Sequence, residues 1–143
     1  MGIAYRLSSH ATTYTSQDLA ACEHISGKQV VKPVAVMVDG RPYLCVLSAT
    51  HRLDIASLRD ELNADDVALA NEAQLHGLFP DCEIGAEPPI GRLYGVPTLM
   101  DESLLDDDRV TFQAGSHTQA VTMTMSDYQK AAQPRIASFG RHV

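Results

Sequence analysis

The chain has 143 residues, of which 45% are hydrophobic and 20% charged, a composition typical of one folded globular domain and not of a disordered chain. Its net charge of −7 argues against broad binding to the backbone of DNA or RNA, but a small basic patch is still compatible with recognition of one nucleic-acid end. There is no apolar run long enough to cross a membrane, no secretory signal pattern and no CxxC pair among three cysteines, so we expect a cytoplasmic protein with reduced thiols.

Hydrophobic periodicity and turn residues predict the elements of the first half of the chain. After a polar lead-in that is either irregular or a short edge segment, Thr15 caps a helix that ends at Gly27. The β-branched residues between positions 30 and 38 predict a strand, in which Pro33 marks an edge or a bulge. The elements that follow are a turn at Asp39-Gly40, a return strand over residues 43–47, a connector over residues 50–53, and a helix that is capped by Asp54 and carries Ile55, Leu58 and Leu62 on one face.

The second half of the chain mixes short helices and strands. Asn71 caps a helix over residues 72–78, and Ser126 begins a capping box that opens a last helix, broken at Pro134. The other predicted elements are strands over residues 67–69, 96–100, 110–114 and 118–125, and a helical turn over residues 102–105 that is capped by Asp101. Without repeats or internal linkers, this pattern predicts a single α+β domain over residues 1–143, with a mixed, mostly antiparallel curved sheet or barrel-like core and surrounding helices.

The most distinctive stretch is the loop over residues 81–91, DCEIGAEPPIG. Its glycines let the backbone turn where a Cβ would clash, and Pro88 and Pro89 fix two φ angles, so we expect a stiff loop whose free N–H groups line a small pocket. An ordinary surface connection is the alternative that these residues leave open. The second feature is Lys32 at the start of an apolar strand, which lies either solvated at a strand edge or beside this pocket.

Three further side chains have both a chemical and a structural interpretation. Cys82, beside the loop, is either a thiol nucleophile or a small buried residue. Ser116 lacks the order of a Ser-His-Asp triad, and His117 is suited either to proton transfer or to a structural hydrogen bond. The chain has no paired Cys/His zinc spacing, no GxGxxG and no P-loop, so we predict no metal and no nucleotide cofactor.

Taken together, six segments resemble the YbaK/prolyl-tRNA synthetase-associated domain family of aminoacyl-tRNA editing proteins. In the family's order they are residues 26–32 (SGKQVVK), Leu53-Asp54, Leu69-Ala70 with Glu72, residues 79–91 (FPDCEIGAEPPIG), residues 101–104 (DESL) and Gly115-Ser116-His117. The resemblance implies a barrel-like α+β fold and hydrolysis, in trans, of the ester that links a wrong amino acid to tRNA, most plausibly tRNA(Pro). It implies mischarged tRNA as the partner and allows a synthetase or an elongation factor as a second one.

The resemblance also carries residues over to this chain. The family's strand-start lysine falls on Lys32, and its glycine-x-x-x-proline loop falls on residues 85–89. The implied catalytic residues are Lys32, Gly85 and Ala86, and the implied substrate-binding residues are Lys28, Pro88, Pro89, Gly115, Ser116 and His117. Because Pro33 stands where the alanyl-specific branch has asparagine, the amino acid that is removed stays open.

The chemistry fits an aminoacyl ester, which is already activated and needs to be held beside a positioned water while its oxyanion is stabilised. Lys32 would hold the 3′-terminal adenosine, and N–H groups of Gly85, Ala86 and Gly115 would line the ester or the amino-acid pocket. The rigid loop would exclude larger side chains. Two other functions stay open on the residues: a non-catalytic module that binds a tRNA 3′ end, a nucleotide or a partner, and a small-molecule ester or thiol hydrolase that uses Cys82 or His117.

Overall fold

The computed structural model describes residues 6–9, 29–83, 86–113, 115–116 and 118–142. Within these ranges it contains three α-helices, α1 (Ile55–Leu62), α2 (Glu72–Leu78) and α3 (Met125–Ala132), and 3₁₀-helices at Gly91–Tyr94 and Glu102–Asp106. The strands are β1 (Arg6–Ser9), β2 (Val31–Val38), β3 (Arg41–Ser48), β4 (His51–Leu53), β5 (Val67–Leu69), β6 (Thr98–Asp101), β7 (Arg109–Gln113), β8 (Gln119–Thr124), β9 (Arg135–Ala137) and β10 (Gly140–His142). The helix predicted after Thr15 lies outside the described residues.

The strands form a five-stranded sheet in the order β5-β2-β3-β6-β9, a three-stranded sheet in the order β1-β8-β7, and a β10-β4 pair. All pairings are antiparallel except β3 with β6 and β6 with β9. A parallel bridge between Val30 and Thr111 connects the two larger sheets. The predicted α+β fold with a mostly antiparallel sheet is therefore confirmed, and β1, within the lead-in, is the short edge segment that was one of its two interpretations.

The β2–β3 hairpin is the part of the sheet that carries the site. Asp39 and Gly40 close it with φ angles of 49° and 82°, the left-handed values that the Asp-Gly turn predicts. The Ala70 N–H donates to the Ala35 carbonyl at 2.9 Å, so odd-numbered residues of β2 direct their backbone groups toward β5. Since β5 pairs only with residues 36–38, the nitrogen of Pro33 faces an open strand edge and forfeits no ladder hydrogen bond.

Two local predictions differ from the structure. The last helix is capped by Thr124 and not by Ser126, because the Asp127 N–H donates to the Thr124 hydroxyl at 3.1 Å. The Met125 N–H donates to the Asp108 carbonyl at 2.8 Å, a tertiary contact that fixes where the helix begins. The predicted connector before Asp54 is strand β4, whose partner β10 comes from the end of the chain.

Two apolar clusters make up most of the core. One lies between the two larger sheets and α3 and contains Phe112, Tyr128 and Met100. The other packs α1, through Leu58, against the opposite face of the β2–β3 hairpin together with Phe139. None of the helices in the described ranges has the length and apolar character that a bilayer crossing requires. These clusters fix β2, β3 and β6 as a rigid floor for the loops above them.

Candidate active site

The second half of the glycine/proline loop is a buried element of the structure and not a surface connection. Its residues from Ala86 to Gly91 are buried or half-buried, with Ala86 fully buried. Tyr128, on α3, is itself fully buried and donates its hydroxyl hydrogen to the Pro89 carbonyl. The Gly91 N–H donates to the Thr98 hydroxyl at 2.8 Å. Since both anchors come from regular elements of the core, the loop is held rigidly, as the two prolines predict.

Gly91 is required by a close backbone approach. A Cβ at this position would lie 2.3 Å from the Val96 carbonyl oxygen and 2.7 Å from the Thr98 hydroxyl oxygen. Both distances are far shorter than any normal contact, so only glycine allows the loop to turn against β6. The pattern of the loop predicts a turn where a Cβ would clash, and the approach of Gly91 to Val96 is the physical cause.

The segment that begins at Gly115 meets the loop over residues 83–86. The Gly115 N–H donates to the Ala86 carbonyl at 2.8 Å, and the Glu83 N–H donates to the Gly115 carbonyl at 2.9 Å. Gly115 has a φ of 90°, a value that favours glycine. Two segments that are about 30 residues apart in the sequence and that the resemblance assigns to one site are thus hydrogen-bonded neighbours.

These same hydrogen bonds occupy two of the N–H groups that were expected to line the ester. The Ala86 N–H donates to the Glu83 carbonyl at 3.0 Å, and the Gly115 N–H is the one that donates to Ala86. Both donors have partners within the protein, which corrects the expectation of free N–H groups at Ala86 and Gly115. Their physical role here is to hold the loop, because a buried backbone donor needs a partner inside the protein.

Lys32 is a half-buried residue of β2. Burial lowers the pKa of its amine from the ordinary value, because removal from water disfavours the charged form. It pairs with Leu47 across the hairpin, and Pro33 pairs with Val46. Since side chains alternate along a strand, Lys32 lies on the face of Leu47, and Pro33 and Ala35 lie on the opposite face.

A small cavity of about 190 Å³ opens on the Pro33 face. It lies between β2, the end of β5, α2 and the glycine/proline loop. The described residues that line it are Pro33, Val34, Ala35, Leu44, Leu69, Ala70, Leu75 and Glu87. Lys32, Pro88 and Pro89 are not among them, although each is adjacent in the sequence, or next but one, to a residue that is.

Glu87 is the site residue that the sequence analysis missed. It is only 5% exposed and lines a cavity whose other described walls are apolar. The available signal was its position: an acidic residue directly before two prolines, in a loop otherwise made of small and apolar residues. Its burial, however, depends on packing between the loop and β2, which no local pattern encodes.

Cys82 has the properties of a structural thiol. Its sulfur lies 3.1 Å from the Tyr94 hydroxyl oxygen. Burial is the main cause that raises the pKa of the Cys82 thiol, and the negative charges of Glu87 and Asp81 add to it against the lowering effect of the Tyr94 hydrogen bond. A thiol with a raised pKa is a poor nucleophile near neutral pH, so this geometry favours the small buried residue over the thiol nucleophile.

The structure gives few contacts for the other predicted site residues. Lys28, Gly85 and His117 lie outside the described residues. The Ser116 hydroxyl is 3.3 Å from that of Thr118, a contact within one turn. Within the described ranges, no three His, Cys, Asp or Glu side chains come together as a metal-binding group.

Comparison with known proteins identifies the class of protein. Residues 10–131 match the family of aminoacyl-tRNA editing domains, which covers most of the chain. The chain belongs to this family. The family resemblance and the class of enzyme predicted from the sequence, a deacylase that acts on aminoacyl-tRNA, are thereby confirmed.

The chain is similar to individual proteins of this class and to a ligase. It is 24% identical over 145 residues to the multifunctional Ser/Thr-tRNA deacylase ProXp-y of Escherichia coli (strain K12), with 98% of this chain and 86% of the relative covered. It is also 24% identical over 115 residues to the proline–tRNA ligase of Nitratidesulfovibrio vulgaris, a match that covers 78% of this chain but 20% of the ligase. A crystal structure of a proposed trans-editing enzyme for prolyl tRNA synthetase shares the fold, with a TM-score of 0.86 at 20% identity over 96% of this chain and 87% of that one.

Proposed function

We propose that the protein hydrolyses, in trans, the ester between a small, wrongly attached amino acid and tRNA(Pro). The observation that carries this proposal is the 190 Å³ cavity between β2 and the proline-stiffened loop in a chain of the editing family. Two relatives support the choice of substrate. The Escherichia coli relative is named for removing serine and threonine from tRNA, and the other relative is a proline–tRNA ligase.

The size of the cavity supports selection by exclusion. A volume of 190 Å³ equals that of about six water molecules in the liquid. Alanine, serine, cysteine or threonine fits such a space, and the exclusion of larger amino acids is proposed to come from the shape of its rigid wall. Steric exclusion by a rigid wall discriminates more strongly than attraction for one methylene, which is worth only about 1–3 kcal/mol. The Tyr128–Pro89 hydrogen bond and the close approach of Gly91 to Val96 supply that rigidity.

The proposed reaction needs no covalent intermediate on the protein. A water molecule attacks the ester carbonyl, the bond between the carbonyl carbon and the ribose oxygen breaks, and the ribose oxygen takes up a proton as the free hydroxyl forms. Lys32 is half-buried and lies on the same face of β2 as Val34, which lines the cavity, and it is proposed to hold a phosphate or hydroxyl of the 3′-terminal adenosine at the cavity mouth. Gly85 is the proposed oxyanion donor, because the Ala86 and Gly115 N–H groups are already engaged.

The remaining predicted contacts and partners belong to the same proposal. Lys28 and His117 are proposed to contact the acceptor end of the tRNA, together with Ser116, which directly precedes His117 in the sequence. Selectivity for tRNA(Pro) is proposed to come in part from a synthetase or an elongation factor that presents the charged tRNA. Because aminoacyl-tRNA is made and used in the cytoplasm, that is where the protein would act.

The test is a deacylation panel with tRNA(Pro) carrying alanine, serine, threonine, cysteine or proline. We expect release of at least one small amino acid and retention of proline. Lys32→Ala should lower kcat/KM by about 10- to 100-fold, the factor expected when a charged hydrogen-bond partner is lost. Lys130→Ala, which removes an exposed lysine from α3, is the matched control and should leave the rate unchanged.

The outcomes separate the competing functions. Unchanged turnover in Lys32→Ala would remove the proposed role of this lysine. Binding of charged tRNA without release of any amino acid would instead support the non-catalytic module. Activity on simple esters that is lost in Cys82→Ser would support the small-ester hydrolase.

A further inference from the structure

We propose that the Glu87 carboxylate binds the α-ammonium group of the amino acid esterified to tRNA, so that the enzyme selects esters with a free amine. This inference rests on the proposed deacylase function and adds to it a recognition residue and a substrate requirement. The residue comes from the loop between Ala86 and Pro88, and nothing in the sequence pattern assigned it a role.

The position of Glu87 supports the assignment. Among the described residues lining the 190 Å³ cavity, it is the one with an ionisable side chain, and the other walls are aliphatic side chains, alanine and proline. It is 5% exposed, so its carboxylate is largely shielded from water. A carboxylate at the wall of an apolar cavity attracts a cation of matching size, because Coulomb attraction is weakly screened there.

Two groups that can lose a proton, the Cys82 thiol and the Tyr94 phenol, are electrostatic neighbours of Glu87. Burial is the main cause that raises the pKa values of Cys82 and Tyr94, and in both cases the charge of Glu87 is a further cause in the same direction. The thiol and the phenol therefore stay protonated and neutral near pH 7 beside this carboxylate. A ligand that brings a positive charge into the cavity is electrostatically favoured by the arrangement.

The α-ammonium is the group of the substrate that fits. Every aminoacyl ester with a free amine carries one, whatever its side chain, and a carboxylate neighbour favours its protonated form over the free amine. Because the ammonium is common to these esters, its recognition by one carboxylate would allow the same pocket to accept several small amino acids.

The decisive comparison uses the wild-type protein and two nearly isosteric substrates. One is tRNA(Pro) charged with the small amino acid that is released best, and the other carries the corresponding 2-hydroxy acid, for example lactyl in place of alanyl. We expect kcat/KM to be about 10- to 100-fold higher for the amino acid ester, the factor that a hydrogen bond to a charged group contributes. Equal rates for the two esters would overturn the assignment of Glu87 while leaving the proposed deacylase function intact.

Variants then attribute the preference to the residue. Glu87→Gln should lower kcat/KM for the amino acid ester and leave that for the hydroxy acid ester nearly unchanged, so that the preference disappears. Asp81→Asn removes the same charge from an exposed position of the same loop and should keep the preference. An equal loss on both esters in Glu87→Gln would show a structural role and overturn the inference. If the wild type releases neither acyl group from any tRNA, the proposed function fails, and this inference fails with it.

Discussion

Tyr128 on α3 donates its hydroxyl hydrogen to the carbonyl of Pro89 in the glycine/proline loop. Both groups are buried, and burial raises the pKa of the Tyr128 hydroxyl far above its ordinary value, so it stays a donor at every pH at which the protein is folded. The last helix of the chain thereby fixes the second proline of a loop 39 residues earlier.

We expect Tyr128→Phe to lower the free energy of unfolding by about 1–3 kcal/mol, because the Pro89 carbonyl loses its partner in a buried position. The looser loop should also lower the deacylation rate. Chemical denaturation and kcat/KM measure the two effects. Tyr43→Phe is the matched control, since Tyr43 packs on the α1 side of the hairpin. If the two variants had equal stability and activity, the hydrogen bond would not be what holds the loop.

Local sequence signals predicted those parts of the fold that depend on neighbouring residues. The Asp39-Gly40 turn, the cap of α1 by Asp54 and the capping box at Asn71 each use a side chain within a few positions of its partner. The strands β9 and β10 were not predicted, because each has three residues and its partner is distant in the chain. Thr124 and Ser126 are both good cap residues, and only the contact of Met125 with Asp108 selects the first.

Some features of the site could likewise be predicted from the local sequence, and others depend on packing between distant segments. The stiffness of the loop follows from its prolines and from Gly91, so it was predictable. The opposite faces of Lys32 and Pro33 follow from alternation in a strand, but which face carries the cavity depends on where α2 and the loop pack. The burial of Glu87 depends on that packing too and was missed for this reason, whereas the Ala86 N–H donates to the Glu83 carbonyl within the same loop.

Gly91 and Gly77 provide a test of the close approach. Gly91→Ala should destabilise the protein by about 1–3 kcal/mol or more, because its Cβ would meet the Val96 carbonyl at 2.3 Å. Gly77→Ala, inside α2 with open space around its Cβ position, should instead stabilise it by about 0.5–1 kcal/mol. Thermal and denaturant unfolding of both variants measures the two signs. A neutral Gly91→Ala would mean that the loop moves away from β6 at little cost.

Asp101 should make stability depend on acid pH. Burial alone would raise the pKa of its carboxyl, but hydrogen bonds from Ser103 and from the N–H groups of Phe139 (2.9 Å) and Gly140 (2.7 Å) lower it below the ordinary value of 3.8. The stability that the ionised form contributes is thus present above pH 3.8 and is lost as the pH falls through the lower, folded-state pKa.

We therefore expect Asp101→Asn to lower the free energy of unfolding by about 1.5–3 kcal/mol at neutral pH and to flatten its decline below pH 4. Asp101 is 2% exposed, so solvent screens little of this effect. Denaturant unfolding between pH 7 and pH 3 measures it, with the exposed Asp106→Asn as the control. If the free energy of unfolding of Asp101→Asn still declined below pH 4 as it does in the wild type, the pH dependence would come from other carboxyl groups.

Cys82 should be dispensable for deacylation. Burial and the nearby negative charges keep its thiol protonated near neutral pH, and its sulfur already contacts the Tyr94 hydroxyl at 3.1 Å. Cys82→Ala should therefore retain most of the wild-type kcat/KM on mischarged tRNA. Labelling of the wild type by a thiol reagent, resolved by peptide mapping, should be slow at pH 7 at Cys82 and slower still at the buried Cys45, whose pKa burial raises to about 12. A folded Cys82→Ala protein without activity would contradict hydrolysis by water alone, because it would require the sulfur to attack the ester despite its protonated state.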